Sequence, residues 1–275
     1  SYLDQLSIDK QQMLSSAVAD IPFAQGLVWD ARKDDQNLRV IGTMHIYDPR
    51  LEPIFAGLSA SIVTADLLLV EATPDDQTAL QSLMVTDPGQ LFLTEGPGLP
   101  DLLDNETWEL LAQAAADRSI PSFMIAKMQP WYASLLLAMP PCAMDDVVAG
   151  KLGLDHMIMD AATDAGVPMQ SLEDFTTLFS IFQDESLEDQ IAFLRMNLLV
   201  PDTQQQVFVA MLDRYFAKDI GTLSEMSRLT LADMPDMDLE TANVLFDETQ
   251  EAILDTRNRA WLPVITQATE IHDNV

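Results

Sequence analysis

The sequence predicts an α/β fold, a sheet of short strands with a helical insertion or lid. Two observations carry this. Up to about residue 175, short apolar runs alternate with stretches whose apolar residues recur every three or four positions. Beyond it only the helical spacing persists. No low-complexity tract or short repeat interrupts the 275 residues. They read as a single domain, with an α/β part over about 25–175 and a mainly helical part over about 176–275.

The elements follow in order. "GLVWDA" (26–31) and "NLRVIGT" (37–43) are strand-like, and the polar "RKDDQ" between them predicts a hairpin. "DLLLVEA" (66–72) is a short apolar run with polar flanks, the pattern of a buried strand. "DNETWELLAQAAADR" (104–118) places Trp108, Leu111, Ala112 and Ala115 on one helical face behind an Asp104 or Asn105 cap. "IPSFMIAK" (120–127) reads as a strand, "LGLDHMIMDAATDAG" (152–166) as a helix closed by Gly166, and "VPMQSLE" (167–173) as another strand. Helical spacing then covers 188–200, 202–219 and 240–271, with Pro201 between the first two and a loop at "DMPDMD" (233–238).

Charge excludes whole classes of partner. Asp and Glu number 44 against 14 Lys and Arg, a formal charge of −30. Such a chain repels phosphate backbones and anionic membrane surfaces, so nucleic acid is excluded as a partner. The acidity suits solubility, as in a salty medium that screens self-repulsion, or else a surface that recruits a cationic partner. With Cys142 alone there is no intrachain disulfide and no cysteine-based zinc site. No run approaches the ~20 apolar residues of a membrane span. The chain opens at Ser1, as expected after removal of an export signal, and the expected location is periplasmic or secreted. Seven of the 15 methionines fall between Met124 and Met169, where they read as core filling.

Four predicted strands end on a chemically capable side chain: His45, Glu71, Lys127 and Glu173. In open α/β sheets ligands bind beyond the carboxyl ends of the strands. If two of these strands are parallel neighbours, His45 and Glu71 share a metal ion or a water. The alternative is polar residues emerging into solvent. Gly42, at the end of its strand, allows positive φ and close backbone approach, so that His45 projects from a tight turn. His156 and Asp160, four apart, share a helix face but lack an H-E-x-x-H context, and His156 reads as structural. Asp155 reads as a helix cap or as a residue supporting the site. There is no G-x-S-x-G, which leaves a serine nucleophile without support.

"GTMH" (42–45) after its strand resembles the first GxxH motif of the TraB/PrgY/GumN family, which is related to the Tiki proteins. "LLLVEA", "KMQPW" (127–131), "GLDHMIMDAATDAGVPMQSLE" (153–173), "RYFAKDIGTL" (214–223) and "TRNRAWLPVI" (256–265) follow in the family's order and spacing. The resemblance runs from about residue 25 to the end. It implies two related halves around a shared cleft and a metal-dependent hydrolytic site for peptide or amide bonds, since Tiki proteins are described as metalloproteases. His45 then stands as the first-motif histidine and metal ligand, Glu71 as ligand or proton acceptor, and Arg257 with Asn258 as the late Arg-Asn pair. Arg257 is expected to stabilise an oxyanion or, failing that, to pair with Glu251 or Asp255 on its helix.

The expected cofactor is one divalent ion, Mn²⁺ or Zn²⁺. The expected partner is a peptide or small molecule. One departure stands out: the family's second GxxH is missing, and "EIHDNV" falls about where the next strand would begin, so that motif is truncated or lost. A non-catalytic protein capturing a small ligand, haem or a peptide signal in the same cleft is the alternative reading, and a protein–protein interaction role is a third.

Overall fold

In the computed structural model, residues 2–183, 185–198, 201–232 and 238–275 are described. Helix α1 (Ile8–Ala19) starts at Ser7, whose hydroxyl accepts from the Lys10 N–H. The predicted hairpin follows. Strands β1 (Val28–Lys33) and β2 (Gln36–Ile41) pair antiparallel, Val28 opposite Ile41 and Lys33 opposite Gln36, with Asp34 left-handed in the turn. Helix α2 (Leu51–Val63) leads into β3 (Leu68–Val70), and α3 (Pro74–Thr86) opens with a capping box between Thr73 and Asp76. Helix α4 (Asn105–Ala116) is capped by Asp104, one of its two predicted caps. After α5 (Pro130–Ala138), α6 (Leu154–Ala165) ends at Gly166 in the left-handed conformation, as its sequence predicts. Strand β4 (Met169–Ser171) lies parallel to β3.

The described helices that follow are α7 (Thr177–Gln183), α8 (Leu187–Asn197), α9 (Pro201–Phe216), α10 (Ile220–Ala232), α11 (Leu239–Gln250) and α12 (Thr256–Ile271).

Among the described residues the molecule is thus α/β but mostly helical, with two separate two-stranded sheets rather than one continuous sheet. The predicted strand at 120–127 is instead a helical turn, Ser122–Ile125, after Pro121. Ile125 is fully buried there, and a short apolar run reads the same whether a core contact holds it as strand or as helix. Lys127 therefore does not end a strand, and its carbonyl accepts from Leu93. The single predicted helix at 240–271 is two, joined by a π turn at Glu251–Asp255. Of the predicted loop 233–238, residues 233–237 lie outside the described residues, and Asp238 caps α11.

Among the described residues, three apolar cores hold these elements. One, around Leu111, Ile125 and Leu194, joins α4, α5 and α8. The second joins the hairpin, α2, α6 and Tyr215 of α9 around Leu51, Leu58 and Leu154. The third packs α1 against α9 and α10 through Leu14, Ala210 and Met226. The helical part contributes to all three, so it is built into the body rather than laid over it as a lid. The second core positions the site, because it fixes the ends of β2 and α6 against each other.

Candidate functional site

Beyond β2 the chain turns through Gly42-Thr43-Met44-His45. The Gly42 N–H donates to Leu27 O at 2.7 Å, and the Tyr215 hydroxyl donates to Gly42 O at 2.8 Å. The first amides of a helix have no partner within it. Here α6 gives its own to the loop: Gly153 N–H donates to His45 O at 3.1 Å and Leu154 N–H to Met44 O at 2.8 Å. The approach is very close. A Cβ on Gly153 would stand 1.9 Å from Met44 O and 2.4 Å from the His45 carbonyl carbon. Gly42 carries no such requirement. Its φ is not positive, and a Cβ there would meet only ordinary contacts at 3.6 Å or more. The indispensable glycine belongs to the "GLD" segment, not to "GTMH".

Asp155, in the first turn of α6, also benefits from the helix dipole. Its Oδ2 accepts from His45 Nδ1 at 2.8 Å and lies 3.0 Å from His156 Nδ1, the latter out of line for a hydrogen bond. The other His156 nitrogen is 3.3 Å from Gln77 Nε2 on α3. Burial works to raise the Asp155 carboxyl, but the flanking His156 and His45 outweigh it and hold it well below the usual carboxylate range. The imidazoles respond in kind. Hydrogen bonding to Asp155 raises His45 against burial, Glu71 adds to the rise and Arg257 subtracts. Asp155 likewise raises His156. Burial pushes the Tyr215 phenol up to about 12, with Asp155 adding to the effect. The His45 side chain is 68% exposed, so its outer nitrogen faces solvent.

The second half of the site is built on the parallel pair. Glu71 directly follows β3, and Glu173 lies two residues past β4. Arg257 joins them. Its Nη2 donates to Glu71 Oε2 at 2.9 Å and to Glu173 Oε1, and its Nε donates to Glu173 at 2.9 Å. Its Nη1 reaches back to Ile253 O at 3.0 Å, inside the π turn, and the guanidinium lies 5.2 Å from the Trp261 ring centroid. The Arg257 and Glu173 side chains are 8% and 11% exposed, whereas Glu71 is 46% exposed. Burial opposes the Arg257 charge, and Glu173 with Glu71 overcomes it.

The structure therefore brings His45, Glu71 and Arg257 to one end of the strands, His45 within electrostatic reach of the other two. Arg257 does not pair with Glu251 or Asp255; Arg259 takes Glu251. Asn258 is exposed on α12, without a side-chain hydrogen bond among the described residues. Glu173, expected only as a polar strand end, is the main partner of Arg257. Gly153 escaped the sequence reading, and its only signal was a glycine at the start of a predicted helix. No helix among the described residues is long and apolar enough to cross a membrane.

The family model described as TraB/PrgY/gumN matches residues 27–275. Comparison with curated proteins and with solved structures gives no match.

Proposed function

The chain belongs to the TraB/PrgY/gumN family, and on that footing we propose that it hydrolyses peptide or related amide bonds at the His45–Glu71 end of its strands. The observation that supports this best is the His45–Asp155 pair: one ring nitrogen is held by a half-buried carboxylate while the largely exposed ring leaves the other free to meet water. Asp155 keeps the proton on Nδ1 and leaves Nε2 as a base. His45 takes a proton from water as that water attacks the carbonyl, then returns it to the departing amine. Asp155 and Glu71 stabilise the intervening imidazolium. Glu71, exposed yet anchored, orients the water. Arg257 is a positioning residue, because its donors are already engaged by Glu71, Glu173 and the Ile253 carbonyl. Asn258 is assigned no step.

The family resemblance implies a divalent ion. The donor chemistry suits one, since a metal-ligating histidine usually has its second nitrogen on a carboxylate, as His45 does. The count does not. A catalytic ion takes about three protein ligands, and no group of three His, Cys, Asp or Glu is placed to hold one among the described residues. Those residues do not fit a complete metal site, and no step is routed through a metal.

The test is hydrolysis of a fluorogenic peptide library. His45→Ala is expected to lower turnover by about 100-fold or more. Because neutral His45 is the active form and its pKa is raised, activity falls as pH drops through that raised value. Asp155→Asn moves this limb to lower pH. Turnover untouched by His45→Ala overturns the reading, and loss of turnover on chelation restores the metal to it. The second reading, capture without catalysis, gains from the incomplete metal donor set, and ligand retention without turnover would identify it. Either reading suits a periplasmic or secreted protein, which cell fractionation checks.

A further inference from the structure

Hydrolysis at His45 leaves the second imidazole of the site, His156, without a role. Its position is nevertheless closely determined. Nδ1 lies 3.0 Å from Asp155 Oδ2, the same oxygen that accepts from His45 Nδ1 at 2.8 Å. Nε2 lies 3.3 Å from Gln77 Nε2. An amide nitrogen only donates, so the ring nitrogen it faces accepts, and the proton of neutral His156 is on Nδ1. Both rings therefore turn a protonated Nδ1 to one carboxylate oxygen. Consecutive side chains on a helix diverge by about 100° and do not face each other. The contact between Asp155 and His156 is thus no by-product of their being neighbours in sequence. It needs the ring to be drawn across, and Gln77 supplies the hold from α3.

Gln77 is itself fixed. Its N–H donates to Thr73 O at 3.0 Å. Its neighbour Asp76 accepts at Oδ2 from Thr73 N–H at 2.8 Å, from Thr73 Oγ1 at 2.6 Å and from the Ser171 hydroxyl on β4. The start of α3 is thereby tied to the ends of β3 and β4, where Glu71 and Glu173 stand. His45 is the looser of the two imidazoles, with its side chain 68% exposed against 27% for His156. An aspartate carboxylate turns about a broad, roughly two-fold torsion, so no rotamer preference holds it. Its direction is set by what it touches, and the better anchored of its two imidazoles is His156.

We propose that His156 is a positioning residue: held by Gln77, it sets the Asp155 carboxylate at the angle that keeps the proton of His45 on Nδ1. The proposal rests on the hydrolase reading and deepens it, by adding a line of contacts from Gln77 through His156 and Asp155 to His45. That line starts on the Glu71 side of the site and ends at its base. His156 takes no proton in the reaction. Its loss lets Asp155 turn away, and neutral His45 then carries its proton on either nitrogen. Molecules with the proton on Nε2 present no base to the water. Binding is left as it was, and turnover weakens.

The test reads the His45 tautomer from its ring-nitrogen chemical shifts, in the full chain at a pH above the His45 titration, beside kinetics on the fluorogenic peptides. The parent is expected to hold the proton on Nδ1. His156→Ala is expected to mix the two tautomers, with kcat lower by about tenfold or more and KM within about twofold. Two substitutions separate positioning from packing. His156→Asn returns an N–H to the place of Nδ1, and His156→Gln returns one to the place of Nε2. The first is expected to restore the tautomer and most of kcat, the second neither. Gln77→Met, two contacts from His45, is expected to shift the tautomer in the same direction as His156→Ala. A parent without the Nδ1 proton, a tautomer that ignores His156→Ala, or His156→Asn performing no better than His156→Gln overturns the proposal. If the alanine variant does not fold, the Asn and Gln variants decide. A parent without turnover whose tautomer still answers to His156 upholds the positioning and counts against the hydrolase. Turnover that falls while the tautomer stays put overturns the positioning and leaves the hydrolase standing.

Discussion

Arg257 shows how much one side chain carries. It is buried between two carboxylates of unequal exposure, and truncation leaves Glu173 charged with its partner gone. Arg257→Ala is therefore expected to cost about 3–5 kcal/mol in denaturant unfolding, the usual range for breaking a buried pair from one side. Arg257→Lys recovers only part of this, because one ammonium cannot serve Glu71, Glu173 and Ile253 O with the geometry of a guanidinium. A cost under about 0.5 kcal/mol for the alanine variant would mean the cluster is not formed as described. At this scale the sequence was legible for residue type and silent on partners. His45 and Glu71 announce themselves by ending apolar runs. Asp155 was visible as a helix-start acid, but its place under His45 depends on the 2.8 Å contact between segments 110 residues apart.

Helix α6 has a glycine at each end, for different physical reasons. Gly166 is left-handed, with φ of 71° and open space where a Cβ would go. Gly153 has an ordinary φ of −71° but no space at all. Gly166→Ala is expected to cost about 1 kcal/mol, the penalty of the left-handed region alone. Gly153→Ala has to push the 42–45 turn off the helix, and is expected to cost about 3 kcal/mol and to disturb His45. Thermal unfolding of the two variants checks the order, and Gly153→Ala as mild as Gly166→Ala would contradict the described approach. Elements with strong local signals were legible: the hairpin, Asp104 at the start of α4 and Gly166 at the end of α6. The 120–127 segment was not, because its apolar residues answer to a core made by α4 and α8. Nor was the π turn, since two helices in line keep nearly the same periodicity through it.

Over the whole molecule, a charge of −30 opposes the folded state by self-repulsion. Raising NaCl from about 10 mM to about 0.5 M shortens the Debye length from ~30 Å to a few ångströms. The melting temperature is expected to rise, each 1 kcal/mol of relief counting for roughly 2–4 °C. A melting temperature that falls with salt would show that local ion pairs outweigh the net repulsion. Composition made this scale legible; the convergence of residues 42–45, 71, 153–156, 173 and 257 was not, because it is set by packing among three cores. That convergence is the central claim, and the chain has only three histidines with which to read it. The most direct test is an NMR titration of the His45 imidazole in the parent chain and in Asp155→Asn and Glu71→Gln. The account predicts a His45 pKa above the ordinary value of about 6.5 that moves down in both variants, further for Asp155→Asn. A His45 that titrates at its ordinary value and ignores both substitutions would contradict it.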